Sequence, residues 1–179
     1  YCEFAGFRET SPMTHAVASA LNAGPFSFGD GPGEFNKTLI MSACDALGTL
    51  LKPDRPAIVI DATWRAAALD GPGPVGGEVK ATYTRLPACA VSGSKAGAAV
   101  DVLVHYVFAA ALSADYQLTP DDLFDADADA GAGVSAGMGA GLDNALVAWS
   151  FGAPTAVNIS TAQPVLLAAG GYGSMHFWR

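Results

Sequence analysis

The first third of the chain alternates short apolar runs with glycine, proline and polar breaks, and this pattern predicts a helix, a strand and a second helix. Ser11 followed by Pro12 is typical of a helix start. The first helix is expected to continue to residue 23 and to end before Gly24. Residues 25–28 form a short apolar run typical of a buried strand. Beyond a glycine-rich loop, the second helix is predicted over residues 36–48.

Asp30 lies in the glycine-rich loop between the predicted strand and the second helix, a place where α/β proteins put ligand groups. Glycine amides at a helix start can bind phosphate, but the carboxylates of Asp30 and Glu34 would repel an anion. An ionised aspartate instead accepts hydrogen bonds from two sugar hydroxyls at once. Asp30 is therefore predicted to bind a neutral sugar, and the alternative is that it stabilises its own turn.

The pattern changes near Pro56, which predicts a boundary between one domain at 1–56 and another at 57–179. Residues 57–60 form a β-branched strand. Residues 79–84 alternate apolar with polar positions, which favours an antiparallel sheet with one solvent-exposed face. No long amphipathic helix is expected, and the pattern favours a β-sandwich. Further strands are predicted within residues 100–112, 146–151, 156–159 and 165–168.

The composition describes an acidic globular chain of 179 residues, with 51% hydrophobic residues and a formal charge of −8. Only nine lysines and arginines are present, which argues against nucleic-acid and membrane partners, because both require clustered positive charge. The longest apolar run, residues 100–112, is too short to span a bilayer. The three cysteines lie far apart and predict buried thiols rather than a zinc site or a disulfide framework. No metal and no cofactor is expected.

Three known sequence motifs are matched in part, but each match lacks residues or flanking elements that the motif requires. The GxSxG match around Ser135 lies within a low-complexity loop at 125–141, without the strand and helix that a nucleophile elbow requires. The GxGxxG match at 71–76 contains two prolines, which cannot donate to a pyrophosphate. The aspartates at 125–129 lack the glycine and glutamate of a calcium loop.

The histidines are given one interpretation, and the large aromatic residues are left with two. The histidines are scattered without metal-ligand spacing and are expected to be ordinary interior or surface residues: His15, His105 and His176. The aromatic residues could form a carbohydrate platform, although packing in the sandwich core is favoured for them: Trp64, Trp149, Phe177 and Trp178.

Residues 21–56 resemble one branch of the family 36 glycoside hydrolases, the raffinose synthases and alkaline α-galactosidases. The resemblance lies in the glycine-rich strand, in Asp30, in the helix start Asn36-Lys37-Thr38-Leu39 and in the segment Gly-Thr-Leu-Leu-Lys-Pro-Asp-Arg-Pro at 48–56 that follows the helix. Three later segments are similar to the C-terminal β-sandwich of that family: residues 105–109, 116–123 and 148–150.

This resemblance implies an α+β fold in which residues 1–56 are the last helix-strand-helix of a (β/α)8 TIM barrel and residues 57–179 are an antiparallel β-sandwich. Such proteins resemble retaining α-glycosidases or galactosyl transferases, whose two catalytic aspartates lie on earlier barrel strands. No residue of this chain matches them. The chain is thus expected to be an inactive C-terminal portion of a protein acting on α-galactosides or raffinose-family oligosaccharides, with Asp30 as a substrate contact. The alternative is a non-catalytic carbohydrate-binding or interaction module.

Overall fold

The computed structural model describes residues 11–25, 31–69, 78–86, 102–123, 146–150, 156–170 and 175–178. These ranges contain three α-helices and one short 3-10 helix: α1 (Pro12–Leu21), α2 (Lys37–Met41), α3 (Asp61–Leu69) and the 3-10 turn Pro120–Asp122. They also contain eight strands: β1 (Ile58–Val59), β2 (Glu78–Leu86), β3 (Val102–Ala110), β4 (Tyr116–Leu118), β5 (Leu146–Trp149), β6 (Ala156–Ile159), β7 (Val165–Leu167) and β8 (Met175–Trp178). None of the described helices is long and apolar enough to cross a membrane.

The strands form three sheets, and every strand pairing among the described residues is antiparallel. The largest sheet has the order β1-β2-β3-β8, and two pairs of strands, β4-β7 and β5-β6, form the smaller sheets. In the centre of the large sheet, β2 and β3 pair along nine residues each, so that Tyr83 lies opposite His105 and Ala81 lies opposite Val107. The chain after residue 57 is therefore built on local antiparallel pairing, which is compatible with the predicted sandwich.

The main core lies on one face of the large sheet and continues into the two smaller sheets. Alternate residues of β2 and β3 supply its first layer: Val79, Ala81, Val107 and Ala109. The other buried members follow along the chain: Ile60, Leu112, Leu118, Ala148, Ile159, Val165 and Leu167. Because these residues come from all three sheets, burial of their apolar surface joins the sheets together.

The opposite face of the large sheet is also covered, which corrects the prediction of one solvent-exposed face. Thr82 and Phe108 lie on this second face, and both are buried. The Thr82 hydroxyl donates to the backbone carbonyl oxygen of Arg55 at 2.6 Å, so a polar side chain is accommodated away from water. Alternation along β2 predicted a solvent-exposed face because it does not show that the neighbouring segment supplies an acceptor for the Thr82 hydroxyl.

Residues 54–57 run beside β2 and connect it to α1. The backbone N–H of Asp54 donates to the carbonyl oxygen of Tyr83 at 3.0 Å, and the N–H of Ala57 donates to that of Leu21 at 2.9 Å. These hydrogen bonds lie on either side of Pro56, where the domain boundary was predicted. The division into 1–56 and 57–179 stays a prediction.

The assignment of residues 1–56 to the end of a TIM barrel is wrong. The described part of the chain consists mainly of small antiparallel sheets with three helices, and it contains no parallel strand. The strand predicted at 25–28 lies mostly outside the described residues, and Pro25 itself is not in a strand.

The second helix of this predicted unit is also much shorter than expected. Helix α2 has five residues, whereas the pattern predicted a helix over 36–48. Asn36 caps α2 as predicted, since its side chain accepts a hydrogen bond from Leu39 N–H at 3.1 Å. Beyond α2 the chain instead forms a turn closed by a bridge between Cys44 and Leu50.

The strand predictions beyond residue 57 fare better, although one helix was missed there. Strands β1, β3, β5, β6 and β7 lie within the predicted segments. Helix α3 follows β1 directly, and the Thr63 hydroxyl donates to the carbonyl oxygen of Ile60 at 3.0 Å near its start. The first turn also carries Asp61, a favourable charge at a helix N-terminus.

Candidate functional site

The predicted sugar ligand Asp30 lies outside the residues that the structure describes, so its role stays a prediction. The same holds for three of the motifs considered above, which are the glycines at 71–76, the aspartates at 125–129 and Ser135. Among the described residues, those with side chains suited to a site are carboxylates, histidines and aromatic residues.

Asp45 serves the turn that follows α2. Its Oδ1 accepts hydrogen bonds from the N–H groups of Leu47 at 2.9 Å and Thr49 at 2.8 Å. The backbone hydrogen bond from Thr49 is the largest influence and lowers the pKa of Asp45, while partial desolvation opposes it. A general acid of a glycosidase requires a raised pKa, so the environment of Asp45 is the opposite of what acid catalysis needs.

Asp54 and Asp115 each join two distant parts of the chain. Asp54 Oδ2 accepts from the N–H of Arg85 at 2.7 Å, which fastens the 54–57 segment to the end of β2. Asp115 Oδ1 accepts from the N–H of Ala169 at 2.7 Å, just after β7. Both carboxylates thus take the place of missing backbone acceptors beside strands.

Asp122 forms a small polar network with Tyr116 and Thr119. Its Oδ2 accepts from the Thr119 N–H at 2.8 Å and from the Thr119 hydroxyl at 2.9 Å, which closes the 3-10 turn. Burial raises the pKa of Tyr116 above its ordinary value of 10.0, and the negative charge of Asp122 and its hydrogen bond to the phenol raise it further. Tyr116 is therefore held as a neutral phenol.

Trp64 lies on helix α3 and is 59% exposed, so the expectation that it packs in a core is wrong for this residue. Asp61, three residues earlier, and Arg65, the next residue, are exposed as well. Residues three and four apart are neighbours on a helix surface, so Asp61 lies beside both Trp64 and Arg65. For the other three aromatic residues only the backbone is described: Trp149, Phe177 and Trp178.

We call the exposed surface formed by Asp61, Trp64 and Arg65 the α3 face. It offers a large planar ring next to a hydrogen-bond acceptor and a set of donors. An indole ring stacks on the apolar C–H face of a sugar, and the flanking groups can bind its hydroxyls. Sequence reasoning singled out Trp64 but missed the other two, because it did not predict α3; the alanine-rich run at 61–69 is the signal that could have revealed the helix.

The described histidines and cysteine form no metal centre. The described residues contain no group of three or more His, Cys, Asp or Glu side chains that could hold a metal ion. His176 Nε2 lies 2.9 Å from the carbonyl oxygen of Ala168, which ties β8 to the segment after β7. Cys44 is a free thiol, as predicted, but it is only partly buried. Its Sγ lies 3.7 Å from the carbonyl oxygen of Ile40.

Comparison with protein-family models, with curated proteins and with solved structures finds no match to this chain. The resemblance to raffinose synthases and alkaline α-galactosidases therefore depends on the residues of this chain alone.

Proposed function

We propose that this chain is a non-catalytic, β-rich part of a glycoside hydrolase-like protein that acts on α-galactosides, and that the reacting carboxylates are not on this chain. The proposal is supported by the motifs that resemble raffinose synthases and alkaline α-galactosidases. The antiparallel strands after residue 57 are also compatible with the sandwich that such proteins carry.

The observation that carries the proposal is the role of four described aspartates. A retaining glycosidase needs a free nucleophile and an acid/base residue about 5–5.5 Å apart. Each of the four instead accepts hydrogen bonds from backbone N–H groups and braces a turn or a strand end: Asp45, Asp54, Asp115 and Asp122. Of these carboxylates, Asp45 has its pKa lowered by the backbone hydrogen bond from Thr49, which makes it a poor proton donor.

A second candidate function, binding of a neutral sugar by the chain itself, is favoured by the α3 face. Tryptophan is usually well buried in folded proteins, so an indole that is 59% exposed requires an explanation. Stacking on a galactose ring would cover Trp64, and Asp61 and Arg65 would bind the sugar hydroxyls. This surface carries both signs of charge, which suits a neutral ligand better than an ion.

Two assays on the purified chain test these proposals separately. With 4-nitrophenyl α-galactoside and with raffinose, we expect product to form no faster than in buffer. Turnover that disappears in the Asp54→Asn or Asp115→Asn variant would overturn the non-catalytic proposal. In calorimetric titrations with raffinose and melibiose, we expect binding without turnover, and the absence of heat with every neutral galactoside would overturn the sugar-binding proposal.

A further inference from the structure

The chain contains two N-glycosylation sequons, in which an asparagine is followed two residues later by serine or threonine. One sequon is Asn36-Lys37-Thr38 at the start of α2, and the other is Asn158-Ile159-Ser160 at the end of β6. Because the pattern is short, the local structure must show which asparagine can carry a glycan. Its amide has to be exposed, without a structural role of its own, and its hydroxyl partner has to be in place.

The side chain of Asn36 already has a structural role. Its Oδ1 accepts the 3.1 Å hydrogen bond from the N–H of Leu39 and thereby caps α2. Thr38, the hydroxyl residue of this sequon, lies within the helix. A glycan at Asn36 would therefore have to preserve the orientation in which the amide caps the helix.

Asn158 is held on the outer face of β6. The next residue, Ile159, is 3% exposed and belongs to the main core, whereas Asn158 is exposed. Because successive side chains of a strand point to opposite faces, burial of Ile159 turns Asn158 away from the core. Within the described part of the chain, the Asn158 amide makes no hydrogen bond. A glycan on its Nδ2 would thus displace none of the described contacts.

An exposed apolar side chain lies directly opposite Asn158 on the neighbouring strand. Val147 of β5 is its register partner and is 42% exposed. Opposite residues of an antiparallel pair have Cβ atoms about 4.5–5.5 Å apart, so the first sugar attached to Asn158 would lie beside Val147. The C–H groups of that sugar can cover the valine and remove its apolar surface from water.

The hydroxyl of the sequon is fixed at the end of the strand. The Ser160 Oγ accepts a hydrogen bond from the N–H of Gln163 at 3.1 Å, and the backbones of these two residues form a small antiparallel bridge. As an acceptor in this contact, the Ser160 hydroxyl keeps its own proton. Only part of the Ser160 residue is buried.

We propose that Asn158 is an N-glycosylation site. In this reaction Nδ2 forms a bond to the anomeric carbon of a lipid-linked pyrophosphate oligosaccharide and loses one proton. The bond between that carbon and the phosphate oxygen breaks, and the lipid pyrophosphate leaves. The inference implies that the protein passes through a compartment that supplies such a donor. It is independent of sugar binding at the α3 face.

The protein from its natural source gives the direct test. It is treated with peptide N-glycosidase in water labelled with heavy oxygen, digested and analysed by mass spectrometry. Because this enzyme converts a glycosylated asparagine to an aspartate, we expect the heavy-oxygen label at residue 158. An unmodified residue 158 in the natural protein would overturn the inference.

Variants of the full chain test whether the sequon directs the modification. The chain is expressed through the secretory pathway of a eukaryotic cell, and glycopeptides are identified by residue. We expect a glycan on residue 158 in the parent and in Ser160→Thr, because threonine preserves the sequon. We expect none in Asn158→Gln or Ser160→Ala. Far-UV circular dichroism confirms that each variant is folded.

A glycan on residue 158 that persists in Ser160→Ala, or one that is lost in a folded Ser160→Thr variant, would contradict recognition of this sequon. The outcome is separate from that of the proposed function. Absence of raffinose binding would contradict the α3 face and leave the glycosylation site standing, whereas an unmodified residue 158 would leave raffinose binding untouched.

Discussion

The hydroxyl of Thr82 donates a 2.6 Å hydrogen bond to the carbonyl oxygen of Arg55, and the Thr82 side chain is 1% exposed. This contact fastens the segment before β1 to the middle of the large sheet. It also fixes the backbone of the residue whose guanidinium stacks on Tyr83. One buried hydroxyl thus links the packing of the sheet to the position of Arg55.

Replacing Thr82 by valine keeps the shape of the side chain and removes the donor. The carbonyl oxygen of Arg55 then loses this partner, and we expect the free energy of unfolding to fall by about 0.5–1.5 kcal/mol. Urea denaturation monitored by circular dichroism measures the change. Thr84→Val is the control on the same strand face, since Thr84 is less buried, and an equal loss in both variants would contradict this role for the hydrogen bond.

Asp45 makes stability depend on pH in acid. Its pKa is lower in the folded chain than its ordinary value of 3.8, so its contribution is complete above about pH 4 and is lost as the pH falls through the folded pKa. We expect Asp45→Asn to show a smaller decline in stability than the parent between pH 5 and pH 2. Urea midpoints across this range measure the difference, and identical pH profiles would show that the Asp45 charge has no such effect.

Tyr116 makes stability depend on pH in base. Its pKa is raised in the folded chain, so its contribution is complete below pH 10 and is lost as the pH rises above that value, where the unfolded phenol ionises first. Absorbance titration at 295 nm should show one phenol ionising late in the parent and earlier in Asp122→Asn. If Asp122→Asn and the parent titrate alike, the carboxylate does not influence Tyr116.

Leu166 and Leu167 are adjacent on β7 but differ fully in burial, with exposed fractions of 55% and 0%. Leu167→Ala leaves a cavity where the smaller sheet joins the core, and we expect it to cost about 2–5 kcal/mol. Leu166→Ala should change the free energy of unfolding by less than about 0.5 kcal/mol. Equal effects in thermal or urea unfolding would contradict the face of β7 that the structure buries.

Alternation of apolar and polar residues locates the antiparallel strands because one face of each strand is buried. Val79 and Ala81 on β2, and Val107 and Ala109 on β3, follow this rule. The rule fails at Thr82, since a period of two does not reveal that the segment beside β2 supplies an acceptor for the buried hydroxyl.

The turn after α2 shows why the predicted barrel unit is absent. The apolar spacing over 36–48 fits a helix, but the side chain of Asp45 binds the backbone N–H groups of Leu47 and Thr49 and competes with helical hydrogen bonding. Gly48 also adopts a positive φ of 83°, which suits a turn.

The candidate site was only partly accessible to sequence reasoning. The ring of Trp64 suggests a sugar platform at once, but a nine-residue helix must be known before Asp61 and Arg65 can be placed beside it. The contact between Arg55 and Tyr83 joins a loop to a strand 28 positions later, and no local pattern predicts such a pair.

Binding of a neutral galactoside at the α3 face tests the central claim most directly. Raffinose is titrated by calorimetry into the parent chain, Trp64→Ala and Leu69→Ala; Leu69 is 76% exposed on the same helix, so the last variant removes apolar surface without removing the ring. We predict that the parent and Leu69→Ala bind equally and that Trp64→Ala binds at least tenfold more weakly while remaining folded. Raffinose binding that is unchanged in Trp64→Ala would contradict the account.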